Sequence, residues 1–229
     1  MLRFGKIAIG IVGILLFTSV LFAQHQFSKR RDLVPLKIRY PKAQFIDFTH
    51  HWDIPNLSDP FKSKIPTILI PPNTENVALG QPVSASDERL SIGDLSMLTD
   101  GDKEGSDGHY LELNSGTQWI QVDLGAPYEI FAVALWHYHK QPRVYFDVVV
   151  QASNDKNFDK GVVTLFNNDN DDSSFLGYGK DKNYVETYKG KLINAHRVHA
   201  RYIRCYSNGN NQNNLNHYVE LEVFAIPLP

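Results

Sequence analysis

The last 150 or so residues of this 229-residue chain predict an all-β domain, a sandwich or a barrel. Three observations carry that prediction. From Asn76 onward, short runs rich in β-branched and aromatic residues recur. Gly, Pro, Asn and Asp separate them. No stretch holds a sustained helical period.

The elements follow in chain order. "MLRFGKIAIGIVGILLFTSVLFAQHQ" places Arg3 and Lys6 before an apolar run from Ile7 to Ala23. That order reads as a signal peptide over residues 1–23 or, uncleaved, as a membrane anchor. Either puts the rest of the chain outside the cytoplasm: secreted, periplasmic or membrane-anchored. Residues 24–75 are rich in Pro and Lys without a period and read as an extended, partly ordered linker. Within it, "PTILIPP" suggests an added edge strand, and "THHW" (Thr49–Trp52) suggests local aromatic packing rather than a metal site.

The β domain occupies residues 76–229. "NVALGQPVSAS" alternates until Gly80 and Pro82 interrupt it. "QWIQVDLGAPYEIFAVALWHYH" holds two strand-like runs, Trp119–Leu124 and Ile130–Trp136, with "GAPY" turning between them. "RVYFDVVVQAS" is a further strand. "ARYIRCYS" sets Tyr202, Arg204 and Tyr206 against Ile203 and Cys205. "HYVELEVFAI" alternates Val219, Leu221 and Val223 with Glu220 and Glu222. Between strands, "FNNDNDDSSFLGYGKDKNY" (166–184) is too polar to pack and too long for a hairpin; ordered loops of that length are usually functional.

Composition excludes several functions. The net charge of −2 argues against a dedicated nucleic-acid binder, which needs a basic excess. The single cysteine, Cys205, forbids an intrachain disulfide and any cysteine metal cluster, and its place in a strand makes it core. No nucleophile elbow, zinc-protease helix or phosphate loop is present, so the chain is not expected to be an enzyme. Glu220 and Glu222 share one strand face, whereas a glycosidase needs carboxyls from elements facing each other across a cleft.

Taken in order, "NVALGQPVSAS", "LTDGD", "WIQVDLGAPYEI", "FDVVVQASND", "ARYIRCYSNG" and "YVELEVFA" resemble a discoidin domain, also called the coagulation-factor C-type domain. This is a galactose-binding-like β-sandwich, a group that includes many bacterial carbohydrate-binding modules. The resemblance covers about residues 76–226 and implies a jelly-roll sandwich of two antiparallel sheets. It also implies one structural Ca2+ in the "DLSMLTDGDKEG" turn (94–105). Asp100 would give a carboxylate, Met97 and Asp102 carbonyl oxygens, Gly105 or Ser106 another oxygen, and Glu220 of the last strand would close the site. Calcium takes six to eight oxygens, many from backbone, which suits such a loop. The sequence departs from the pattern in having Gly105-Ser106 where relatives carry Thr or Ser.

"WHYHKQPR" supplies candidate ligand contacts: His137, His139, Lys140, Arg143 and Tyr145. His, Lys and Arg meet sugar hydroxyls, and Tyr138 or Tyr145 offers a ring for the sugar's C–H face. The expected partner is a glycan, neutral or weakly acidic. A protein or lipid surface is the alternative, for which Phe175, Leu176 and Tyr178 in the long loop would be the contacts. The acidic run Asn167–Asp172 lacks the glycine and distal glutamate of an EF-hand and reads as a hydrated loop. "YSNGNNQNNLNHY" reads as Asx turns before the last strand.

Overall fold

The computed structural model describes residues 33–43, 53–62, 64–87 and 89–228. The expected leader (1–23) and "THHW" lie outside these residues. The strands are β1 (Val34–Pro35), β2 (Leu69–Ile70), β3 (Glu75–Asn76), β4 (Val83–Ala85), β5 (Leu111–Leu113), β6 (Gln118–His137), β7 (Val149–Ser153), β8 (Val163–Asn167), β9 (Lys191–Ser207) and β10 (Asn216–Pro227). All ladders between them are antiparallel.

Long strands that belong to both layers build the sandwich. The first half of β6 pairs with β4 on one side and with the second half of β9 on the other; β7 and β8 extend that layer. The second half of β6 lies between β10 and the first half of β9, with β3 and β5 along the far edge of β10. The crossing from layer to layer is local. The β6–β9 register breaks between Asp123 and Tyr128, where Gly125 has φ +81°. "GAPY" is therefore a bend within one continuous strand rather than a turn between two. On β9, His196 and Arg197 sit at φ +51° and +63°, beside the second register break. Bulges of this kind bend a strand and let one chain serve both layers.

Period two then sorts the side chains. Ile130, Val133 and Leu135 of β6 pack with Ile203, Cys205, Leu221 and Val223 between the layers. Ala132, Ala134 and Trp136 face outward, yet they too are buried. Their cover is the segment before the domain. Leu36, Ile38, Tyr40, Ile68 and Ile70 pack onto this outer face with Phe131, Val219 and Phe224. Residues expected to form an extended linker thus form a strap, held because its apolar side chains complete a face that would otherwise meet water. "PTILIPP" does not join the sandwich edge; Leu69–Ile70 pairs with Val34–Pro35 inside the strap.

Trp136 is fully buried and donates from Nε1 to the Tyr188 carbonyl at 3.0 Å. Gly190 lies against its ring: a Cβ there would come within 2.7 Å of three indole atoms. Gly161 has the same φ of +61° but open space around it. Gly190→Ala is therefore expected to lose about 1–3 kcal/mol more than Gly161→Ala, since only the former adds overpacking to backbone strain. Urea titration of both variants checks this; equal losses would remove the packing argument.

Candidate functional site

One end of the sandwich gathers the loops after β6, β8 and β9. The chain leaving β6 is fastened across to the β9–β10 connection. Asn211 Oδ1 accepts from Val144 N at 2.8 Å, Asn211 N donates to Val144 O, Phe146 N to the Gly209 carbonyl and Asn208 N to the Phe146 carbonyl. As the Asx reading expected, Asn210 and Asn213 turn this connection by accepting local backbone N–H groups. Arg143 is fixed by its own carbonyl, which accepts from Glu186 N at 2.8 Å.

These fastenings decide which predicted contacts reach solvent. His137 is fully buried: it stacks on Tyr145 at 4.3 Å between centroids and places Nδ1 3.2 Å from Glu186 Oε2. His139 is also buried, its Nε2 donating to the Lys103 carbonyl at 2.8 Å. Tyr145 lies inside as well, and burial holds its phenol well above the ordinary range. His137, His139 and Tyr145 are therefore not surface contacts. A two-residue spacing in sequence did not place the histidines together either, because β6 ends at His137. Lys140 and Arg143 remain partly exposed, with Lys140 Nζ 3.8 Å from Glu104.

Arg143 is the centre of what can meet a ligand. Its guanidinium lies 4.8 Å over the Tyr138 ring, and Tyr138 meets Tyr110 at 4.7 Å. Arg143 Nη1 is 3.2 Å from His217 Nδ1, while His217 Nε2 is 3.1 Å from Glu112 Oε2. With Arg143 donating to Nδ1 and Nε2–H donating to Glu112, the ring is neutral. Its pKa is lowered to about 3, first by burial and then by the Arg143 guanidinium. Desolvation raises the phenols of Tyr110 and Tyr138. The surface thus presents a guanidinium, a carboxylate and the half-buried Tyr110 ring, with Tyr138 buried beneath Arg143. Tyr110 and Glu112 escaped the sequence reading. They alternate with buried Leu111 and Leu113 in β5, whose pairing of Glu112 with His217 brings them here.

The second site is the Asp100 loop. Leu95–Thr99 forms a short 3-10 turn capped by Asp94, which accepts from Ser96 N and Oγ. The next residues curl over β10. Asp100 Oδ1 accepts from Asp102 N, and Asp102 Oδ1 from Glu104 N, both at 2.8 Å. Gly105 is buried at φ +60°, and a Cβ there would sit 3.2 Å from Val219. Glu220 is fully buried beneath the loop. One of its oxygens accepts from Gly101 N at 3.2 Å; the other, Oε1, has no partner among the described residues. Burial, foremost, pushes its carboxyl up to about 9.

A buried carboxylate oxygen without a donor, under a loop carrying Asp100 and Asp102, fits an oxygen-liganded cation. Gly101 N reaches Glu220, and Asp100 stands close enough to help raise its carboxyl; the resemblance implies Asp100, Asp102, Gly105 and Glu220 as ligands of such an ion. Met97 lies in the preceding turn, half-buried against the core. Ser106 is exposed and its carbonyl already accepts from His109 N at 2.8 Å, which favours Gly105 as the oxygen donor. Unforeseen neighbours complete the loop. His109 Nε2 lies 3.1 Å from Asp100 and 3.4 Å from Asp102, and buried Lys103 pairs with Glu222 at 2.7 Å.

The acidic run of the long loop is not the hydrated segment expected. Asn167, Asn168 and Asp169 are buried, because their side chains serve the loop's own backbone. Asp169 accepts from Ser173 N, Ser174 N and Ser174 Oγ; Asn167 Nδ2 donates to the Gly177 carbonyl. This frame holds Phe175 and Tyr178 outward, 90% and 73% exposed.

The F5/8 type C domain model matches residues 82–221. No curated protein matches the chain. Among solved structures, a family 89 glycoside hydrolase from Clostridium perfringens is similar at 21% identity and a TM-score of 0.48, over 66% of this chain but 15% of that one. The chitosan-binding module 1 of a Paenibacillus chitosanase/glucanase is similar at 21% identity and a TM-score of 0.44, over 65% of this chain and 98% of that one. A Clostridium perfringens CBM32 in complex with GlcNAc-α-1,4-galactose gives 16% identity and a TM-score of 0.47, over 68% and 96%.

Proposed function

The chain belongs to the F5/8 type C domain family, and from that premise we propose that it is a non-catalytic, extracytoplasmic module that binds glycan through the Arg143 surface. Calcium, held by Asp100, Asp102, Gly105 and Glu220, is its structural ion. Export follows from the basic and apolar start of the sequence.

The observation that supports glycan binding is the stacking of Arg143 on Tyr138 beside Tyr110. A sugar needs an aromatic face for its C–H side and fixed donors and acceptors for its hydroxyls. Tyr110 supplies the ring, Arg143, stacked on the buried Tyr138, the donors, and Glu112 the acceptor. The guanidinium is already stacked and fastened, so little side-chain freedom is lost on binding. The buried His137 and Tyr145 stack beneath this surface, while His139 and Lys140 turn to Lys103 and Glu104 of the Asp100 loop.

A shallow single site gives weak affinity, roughly 10–1000 µM, corresponding to about 4–7 kcal/mol. Arg143→Ala is expected to weaken glycan binding by about 1–3 kcal/mol while the domain stays folded. A glycan array followed by calorimetry on the best ligand measures it. Unchanged affinity in this variant would remove Arg143 from the site.

The exposed Phe175 and Tyr178 support a second reading, a lipid or protein surface as partner. It predicts vesicle binding that survives Arg143→Ala and fails after Phe175→Ala.

A further inference from the structure

A cleft of about 840 Å3 runs between the strap and the sandwich, within the size range of small-ligand sites. It lies away from the Arg143 surface. Glu129 and Phe131 stand where the second half of β6 begins, whereas the Arg143 loop follows its end. Leu33, Leu69 and Pro72 of the strap and Phe131 and Ile226 of the sandwich give apolar walls. These walls are open to a ligand: Leu69 is 52% exposed and Leu33 38%.

One ion pair is set into the walls. Arg197 Nε donates to Glu129 Oε1 at 2.8 Å, and the guanidinium carbon lies 5.7 Å from the centroid of the Phe131 ring. Arg197 leaves the left-handed turn at His196 and Arg197, which is held by His196 N donating to Asn194 Oδ1 at 2.9 Å. The pair uses only part of its capacity. Both Nη groups of Arg197 and Oε2 of Glu129 have no partner among the described residues. His199 Nε2, 3.9 Å away, stands by Oε1 instead. The unused atoms can be reached. The Arg197 side chain is 69% exposed; that of Glu129 is 15% exposed, with Oε2 open to solvent.

These groups select a ligand that carries both charges. Arg197 and Glu129 are the charged side chains of the lining, and His196 is its other titratable group. An anion alone would gain from the guanidinium and lose to the carboxylate beside it; a cation alone would do the reverse. A molecule with a carboxylate and an ammonium on neighbouring atoms meets both. The guanidinium fork matches a carboxylate, and an ammonium donates to a carboxylate oxygen. The apolar walls then ask for a hydrocarbon body on the same molecule. An α-amino acid with an apolar side chain has all three parts.

We propose that this cleft binds a free apolar α-amino acid, with its carboxylate on the Arg197 Nη groups, its ammonium on Glu129 Oε2 and its side chain against Leu69 and Phe131. The site shares no residue with the Arg143 surface, so either can fail alone.

The test is a titration of the full chain with leucine, followed by backbone amide chemical shifts. Three probes each lack one part of leucine: isocaproate the amine, isoamylamine the carboxylate and glycine the side chain. Leucine is expected to shift the amides of Leu69, Phe131 and Arg197, and each probe to bind at least about fivefold more weakly. Glu129→Gln keeps an acceptor for Arg197 Nε and should abolish the preference for leucine over isocaproate. Arg197→Gln should abolish the preference over isoamylamine. The probe series on the unaltered chain decides even where a variant does not fold. Equal affinity for leucine and either charged probe would overturn the proposal, as would preferences that survive in both variants. No shift at these amides in tens of millimolar leucine, or shifts confined to Tyr110, Tyr138 and Arg143, would overturn it too.

Discussion

A His217→Gln chain is expected to resist acid better than its parent, by an amount that grows as pH falls from about 6.5 to about 3. His217 ionises near 6.5 when unfolded, but the folded protein holds it neutral down to about 3. The unfolded state therefore binds the extra proton across this window, and stability falls with pH. The contribution is fully present above about 6.5 and lost by about 3. Each unit is worth ~1.4 kcal/mol, so the whole window amounts to about 3–5 kcal/mol. The cause is structural. Burial and the Arg143 guanidinium 3.2 Å away outweigh the nearby Glu112 carboxylate. The substitution keeps a hydrogen-bonding side chain and removes the titration. Urea midpoints across this pH range for both chains give the answer. Parallel curves would mean that His217 is protonated in the folded state and that the ring does not accept from Arg143.

Calcium is the second large effect. At about one hundred times its dissociation constant, it should stabilise the folded chain by about 2.7 kcal/mol, because the assembled site exists only in the folded state. For a chain of this size that is roughly 5–10 °C in melting temperature. Glu220→Gln preserves the acceptor for Gly101 N–H and removes the charge, so it should fold and lose the increase. Asp100→Ala should lose most of it. Magnesium is a poor substitute, since it demands a tight octahedron and keeps its waters. Thermal unfolding with chelator and with millimolar calcium measures the difference. Superimposable melts would show that Glu220 Oε1 meets no calcium ion.

The sequence exposed the parts of this fold that obey one simple period. Tyr202–Tyr206 alternates as read, with Ile203 and Cys205 in the core and Arg204 outside over Trp119 and Phe158. The first half of β9 was not legible. Polar residues interrupt Lys191–Val198, and His196 and Arg197 leave the extended conformation altogether. The strap was missed for another reason: Leu36, Ile38 and Tyr40, and then Ile68 and Ile70, alternate at period two, but in two short runs among prolines that do not stand out as strands. Order of motifs, rather than any single residue, placed Asp100 opposite Glu220. Burial of His137 and His139 could not be read, because the atoms that satisfy them, Glu186 Oε2 and the Lys103 carbonyl, lie 49 and 36 residues away. Polar residues near a strand end look exposed until distant partners are known.

The strap also governs how load enters the domain. Among the described residues, a tension applied from the N-terminal side meets Val34–Pro35 and Leu69–Ile70 first, together with the Leu36 and Ile38 contacts on the Trp136 face. These are short ladders and side-chain packing, weaker than the long β6–β9 and β6–β10 ladders behind them. Under force the strap would peel away before the sandwich shears. Peeling would bare Trp136 and Phe131. The Arg143 surface, built from the sandwich and its loops, would keep its shape.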